Sequence, residues 1–386
     1  MELCVVFMES ALFIGKPGTG KTTLLKRWFL DDVYDGKGAV FFDFHGSHID
    51  NLLSHIPSQR QSDVILFDPS DTDFVPSFNV FDSVDPDARP LVAQSVVSTF
   101  KSITGYTGNT PVLDRVLYNS ARLCLDSNES FLGMFYLLTK EKLRKRLVKN
   151  CTDPTIKDFW KDYEKLPPKE RRDFISSTQS NLEPFITDIT TRNVIGQIHS
   201  SFQFKDVFKN KILMVRLPRH ILGAEKTRLL GLLLLSSLHS SAPHNSDPFK
   251  VYIDNSQVLM SPTLLRLVTD LSDFDIGVYL TIQQLSQLKD IPLLDTVNTL
   301  IPFRIGIDDS KALRKVFAIG ESAIQLHELD VLECKMATGL AVSSVVVEPH
   351  DYPSFDSKVV ARCRSEYAKP RDNVEQTINR FLRGLK

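Results

Sequence analysis

The sequence predicts an α/β protein, with a mainly parallel central sheet interrupted by an all-helical insertion. Three observations predict it. Short apolar runs alternate with helical stretches between Ala11 and Phe67. Strand-like runs are then absent from residues 86–195 and return at residue 212. A glycine-rich loop at residues 15–22 joins the first apolar run to the first helical stretch, which is the order in which a strand delivers a phosphate-binding loop to a helix.

Taken in order, residues 11–14 read as a strand buried on both faces, as strands of a parallel sheet are, and 21–31 as the helix after it. Residues 39–42 and 64–67 read as further strands, each followed by an aspartate, Asp43 and Asp68. Helical spacing of apolar residues then runs through 91–103, 112–125, 130–138, 140–148, 155–163 and 169–189. Strands resume at 212–217, 251–253, 278–282, 300–307 and 341–347, with helices at 225–240 and 262–271. Pro349, Pro353 and Pro370 mark a looser connection to an amphipathic helix at 371–385. The expected organisation is a core in two parts, 1–84 and 196–350, an insertion at 85–195 and an extension at 351–386.

Composition narrows the function classes. Hydrophobic residues make up 42% and charged residues 24% of 386, so a sizeable core is available. Net charge is −1, so any contact with nucleic acid must come from local clusters. Lys140, Lys142, Arg144, Lys145, Arg146 and Lys149 form one such run, either a phosphate-backbone contact or a solvated helix face. Cys4, Cys124, Cys151, Cys334 and Cys363 form no C-x-x-C pair, which argues against a zinc site or disulfide framework and points to a reducing cytoplasm. The apolar stretch 1–14 is broken by Glu2, Glu9 and Ser10, and the apolar residues 229–238 are too few to span a bilayer.

Residues 15–22, Gly-Lys-Pro-Gly-Thr-Gly-Lys-Thr, match G-x-x-x-x-G-K-[ST] completely, between an apolar strand and a helix. Gly15, Gly18 and Gly20 let the backbone wrap closely, so that N–H groups from Lys16 through Thr23, Pro17 excepted, can face phosphate oxygens. Lys21 brings a compact positive charge to the phosphates. Thr22 brings a hydroxyl for Mg²⁺, and the helix N-terminus favours the anion. The expected ligands are ATP and Mg²⁺.

Such a site requires an acidic residue at the end of another strand, and Lys250-Val-Tyr-Ile-Asp254 supplies it. A base or water-orienting group is expected next. Asn255 stands there, able to orient water but unable to take its proton. Gln283 and Gln284 follow the strand 278–282, where Gln283 is either a γ-phosphate sensor or part of a solvated polar pair. Arg304 either neutralises developing phosphate charge or makes an ion pair at the sheet edge.

This order of motifs resembles the conjugative DNA-transfer coupling proteins of the FtsK–HerA group of DNA-pumping ATPases. The resemblance begins at the phosphate loop and continues through Phe42-Asp-Phe-His-Gly46, Asp63-Val-Ile-Leu-Phe-Asp-Pro69 and Asn79. It goes on through Asp153-Pro-Thr-Ile-Lys-Asp-Phe-Trp160, Ile212-Leu-Met-Val-Arg-Leu217, Arg228-Leu-Leu-Gly231, Asp254-Asn-Ser-Gln257, Gln283 and Phe303-Arg-Ile-Gly306, and ends in the tail at Glu366–Arg371. Phe44 stands where the family has Pro, and Asn255 where it has Glu. The resemblance implies a RecA-like P-loop NTPase core, a homo-hexameric ring with DNA in its pore, and ATP between subunits, with Arg304 reaching in from a neighbour. It also implies secretion or mobilisation partners at the inner face of a membrane. Two functions follow: an ATP-driven DNA motor, or a nucleotide-binding scaffold with little hydrolysis, which Asn255 favours. A small-molecule kinase is a weaker third reading, because the lid arginines of such enzymes are not apparent.

Overall fold

The computed structural model describes residues 10–105, 110–242, 249–288, 291–316, 325–338, 341–355 and 358–385. Cys4 and the apolar residues 1–9 lie outside them. The chain divides into two compact units. The first comprises Met1–Leu66, Phe204–His220 and Ala242–Val360, and the second Phe67–Gln203, Ile221–Ser241 and Ala361–Lys386.

The strands are β1 (Ala11–Ile14), β2 (Ala39–Asp43), β3 (Val64–Phe67), β4 (Phe74–Pro76), β5 (Ile212–Arg216), β6 (Phe249–Asp254), β7 (Ile276–Ile282), β8 (Thr299–Pro302), β9 (Glu333–Thr338), β10 (Ala341–Val346) and β11 (Ala368–Pro370). Nine of them form one sheet in the order β10-β9-β8-β1-β7-β6-β2-β5-β3. The pairs of β1 with β7 and β8, of β2 with β5 and β6, and of β6 with β7 are parallel, while β9 pairs antiparallel with β8 and β10. The fold is therefore α/β with a mostly parallel central sheet, as the sequence predicts.

Register places the functional strand ends together. Ile14 lies opposite Ile282, and Asp43 opposite Asp254, so β1, β2, β6 and β7 end on one edge, where open α/β sheets bind ligands. Helix Lys21–Tyr34 packs on these strands through edge-to-face aromatic contacts. Trp28 meets Phe13 at 5.3 Å and Tyr279 at 5.6 Å, and Phe29 meets Phe41 at 5.2 Å. These rings lock the helix that follows the glycine-rich loop to the strand that precedes it.

One strand ends early. Residues 300–307 read as a single strand, but β8 stops at Pro302, and helix Ile307–Val316 starts at the last residue of that span. Pro302 has no N–H to continue a ladder, and beyond it the chain turns across the glycine-rich loop, with Lys16 N–H donating to Arg304 O at 2.9 Å. The predicted helix 169–189 is Pro168–Thr187, and a separate helix, Ile189–Ile195, follows it. Asp188 is extended and its carboxylate accepts from Thr191 N–H at 2.9 Å, capping the second helix.

The second unit is mostly helical. Its helices include Arg89–Thr104, Pro111–Ser127, Phe131–Thr139, Glu141–Asn150 and Pro154–Lys165, together with Ala224–Ser240 and Arg371–Gly384. Phe131–Thr139 is apolar almost all round and correspondingly buried. The antiparallel pair of β4 and β11 joins the C-terminal segment to this unit, reinforced by Arg364 on Asp71 at 2.7 Å. Among the described residues no helix is long and apolar enough to cross a membrane.

Candidate nucleotide site

The glycine-rich loop leaves β1 at Ile14 and enters its helix at Lys21. Its frame is made by backbone bonds: Gly15 N–H donates to Ile282 O at 3.2 Å, and Phe303 N–H to Ile14 O at 2.8 Å. Glycine is required on steric grounds at two places. A Cβ on Gly15 would stand 2.7 Å from that of Phe303, and Gly20 has φ 113 with the Leu332 side chain 2.9 Å from where a Cβ would lie. Leu332 itself has φ 68, and its N–H donates to Thr19 O at 3.0 Å, so a strained residue braces the loop from outside. Lys16, Pro17 and Gly18 are exposed at the tip, while Thr19 is buried and its hydroxyl donates to Lys16 O at 2.8 Å.

Lys21 is 7% exposed and folds back into the loop, donating to Gly15 O at 2.5 Å and Lys16 O at 2.8 Å. Burial pulls its ammonium down to about 8, against an opposing pull from Asp254. An anion in the loop would restore the charge-stabilising environment that burial removes. Lys26, one turn on, is likewise lowered by burial, with Asp254 and Asp43 opposing. Thr22 points its hydroxyl at Asp254, 3.1 Å from Oδ1 and 3.2 Å from Oδ2. Thr23 follows it, half-buried on the same helix.

Asp254 is 1% exposed at the end of β6. Thr281 donates to its Oδ1 at 2.7 Å and Asn255 Nδ2 to its Oδ2 at 3.3 Å, while His48 Nε2 lies 3.4 Å from Oδ2. Asn255 is left-handed, with φ 55 and ψ 46, and its Oδ1 accepts from Gln257 Nε2 at 3.3 Å. Both ends of its amide are engaged. Gln257 Oε1 is buried without a hydrogen-bond partner among the described residues. The Thr22 hydroxyl and the Asp254 carboxylate are the hard-oxygen ligands that Mg²⁺ requires, and the buried Lys21 ammonium is the charge that a phosphate requires, so the residues fit both.

Gln283 follows β7 directly, and its N–H donates to Gln287 Oε1 at 2.8 Å. Arg304 is half-buried, and its carbonyl receives the Lys16 N–H of its own chain. The structure thus gathers residues 15–23, Asp254, Asn255, Gln283 and Arg304 at one edge of the sheet. The sequence reading missed Thr281, His48 and Leu332. Thr281 was hidden inside an apolar strand, the His48 ring reaches Asp254 from the segment after a neighbouring strand, and Leu332 acts through its backbone, none of which a motif records.

The basic run 140–149 is only partly free for a ligand. Arg144 is 3% exposed and bonded to Leu137 O, Leu138 O and Glu164, and Lys145 pairs with Glu141. Lys142, Arg146 and Lys149 are exposed.

No family model matches the chain, and no curated protein matches it by sequence. Solved structures do. The plasmid coupling protein TrwB bound to the non-hydrolysable ATP analogue ADPNP matches with a TM-score of 0.67 at 16% identity, over 90% of this chain and 88% of that one. TrwB with ADP and Mg²⁺ matches with 0.66 at 16% identity, over 91% and 88%. VirB4 of Thermoanaerobacter pseudethanolicus matches with 0.60 at 12% identity, over 89% and 90%. The chain has the P-loop ATPase fold of the conjugative coupling protein TrwB and of VirB4.

Proposed function

We propose that the chain is an ATP-binding P-loop motor subunit that couples ATP hydrolysis to DNA movement, in the manner of the coupling ATPases it resembles. The observation that carries this reading is the approach of Thr22 to Asp254 beside the buried Lys21. In it, residues 15–23 hold the phosphates by N–H groups, Lys21 balances their charge, and Thr22 and Asp254 hold Mg²⁺. When bound, the cation neutralises charge on the phosphate oxygens and orients them. Gln283 positions water or senses the γ-phosphate at the end of β7, and Arg304 acts on the phosphate charge. Bound DNA, a homo-hexameric ring, secretion or mobilisation partners, cytoplasmic placement at a membrane face and the helical segment 85–195 as an insertion into the core all belong to this proposal. The nucleotide-bound state of TrwB supports the ligand class.

A second reading has an observation of its own. Asn255 cannot accept a proton at neutral pH, and its amide is already engaged by Asp254 and Gln257. A scaffold that binds ATP and barely hydrolyses it fits that arrangement. ATP turnover by the purified protein, with and without DNA, beside Lys21→Ala and Asn255→Glu, separates the two. DNA-stimulated turnover lost in Lys21→Ala supports the motor. ATP binding without turnover in the wild type supports the scaffold.

A further inference from the structure

Asp43 and Asp254 end neighbouring parallel strands in register, both almost fully buried, yet the fold uses them differently. Asp43 is consumed by backbone. Its Oδ1 accepts from His45 N–H and Gly46 N–H, each at 2.9 Å, and its Oδ2 from His48 N–H at 2.8 Å and Ile49 N–H at 3.2 Å. Four donors saturate the carboxylate, so Asp43 has no lone pair to spare for a cation. What it does is fix the turn at residues 44–47 and hold the first two N–H groups of the helix His48–Ser54.

That helix start carries the His48 ring to Asp254. The same residue therefore bridges the two aspartates, by its main chain to Asp43 and by its imidazole to Asp254, 3.4 Å from Oδ2. The ring is held further by stacking on His45 at 5.6 Å, which in turn meets His220 at 6.3 Å. The two oxygens of Asp254 differ in support. Oδ1 has the 2.7 Å bond from Thr281 and Thr22 at 3.1 Å, whereas Oδ2 has only longer contacts, Thr22 at 3.2 Å, Asn255 at 3.3 Å and the His48 ring at 3.4 Å. Without the His48 ring, Oδ2 keeps only the Thr22 hydroxyl at 3.2 Å and the Asn255 amide at 3.3 Å.

We propose that His48 is a positioning residue of the nucleotide site, placed by Asp43, which holds Oδ2 of Asp254 so that the carboxylate faces the Thr22 hydroxyl. This rests on the reading of Thr22 and Asp254 as the pair that holds the divalent cation. Partners that orient a ligating carboxylate typically change metal affinity by about 10-fold to 100-fold when removed.

The test uses the full chain and Mn²⁺ as probe, followed by electron paramagnetic resonance in the presence of ATP, with ATP affinity in EDTA measured alongside. His48→Ala weakens Mn²⁺ binding about 10-fold and leaves the metal-free ATP affinity and the melting temperature near wild type. His48→Gln, which keeps a side-chain N–H, recovers most of the loss. Wild-type Mn²⁺ affinity in His48→Ala, with binding lost in Asp254→Ala, overturns the role of His48 alone. An equal loss with and without metal also overturns it, because the residue then only supports the fold. Failure of the wild type to bind Mn²⁺ with ATP overturns the cation-pair reading itself, and this inference with it.

Discussion

Replacing Asn255 by Glu puts a carboxylate able to accept a proton next to Asp254, and the structure assigns it a cost. Asn255 sits at φ 55 and ψ 46, a left-handed conformation that Asn tolerates and that most L-residues pay about 1 kcal/mol or more to adopt. Its amide also makes two long hydrogen bonds, to Asp254 and from Gln257, both at 3.3 Å. Each contributes about 0.5 kcal/mol at that length. The sum is about 2 kcal/mol lost in Asn255→Glu, before any repulsion from the neighbouring Asp254, and corresponds to a fall of roughly 4–8 °C in melting temperature for a domain of roughly 200 residues. Asn255→Gly loses the hydrogen bonds but not the backbone preference and falls by about half as much, about 1 kcal/mol. Asn255→Ala loses both and falls with Glu. Thermal and urea unfolding of the four proteins measures the order. Equal stability of the Gly, Ala and Glu variants would refute the left-handed assignment and the reason offered for Asn at this position.

Other perturbations follow from the same geometry. Asp43→Asn offers one acceptor oxygen where four N–H groups converge, so it destabilises by about 2–3 kcal/mol in urea unfolding and weakens Mn²⁺ binding in step with His48→Ala. In the second unit, burial pushes the Glu129 carboxyl above its usual range, with Ser130 N–H and Arg146 opposing. A carboxyl whose folded value is raised favours the folded state most at low pH, and that advantage is lost as pH rises through the folded value. Glu129→Gln keeps the acceptor for Ser130 N–H without the buried charge. Its urea midpoint is therefore above wild type at pH 7, and the difference closes as the pH approaches 4.

The parts of the site that were legible in the sequence are the local ones. Residues 15–22 declare their geometry because strand, glycines and helix start are contiguous, and Asp254 declares itself by ending an apolar strand. Asp43 ends another such strand and looks the same in one dimension. Only the four N–H groups folded around its carboxylate separate a structural clamp from an available ligand. His48 and Leu332 carried no signal, since one acts from the neighbouring strand's loop and the other through its backbone. The overrun of the predicted strand past Pro302 has a similar origin: Phe303 and Ile305 are both 0% exposed, Phe303 against Gly15 and Gly20 of the glycine-rich loop, although the strand has ended. In β9 the intermediate Glu333 and Lys335 alternate with buried Cys334 and Met336, a period-two pattern masked by its charged half.

The central claim is that Lys21, Thr22 and Asp254 form one Mg²⁺–nucleotide site. Calorimetric titration of the purified chain with ATP, in Mg²⁺ and in EDTA, tests it most directly beside Lys21→Ala and Asp254→Ala. The wild type binds more tightly with Mg²⁺, Lys21→Ala loses binding under both conditions, and Asp254→Ala loses only the Mg²⁺ enhancement. Wild-type affinity retained in Lys21→Ala, or an undiminished Mg²⁺ effect in Asp254→Ala, would contradict the claim.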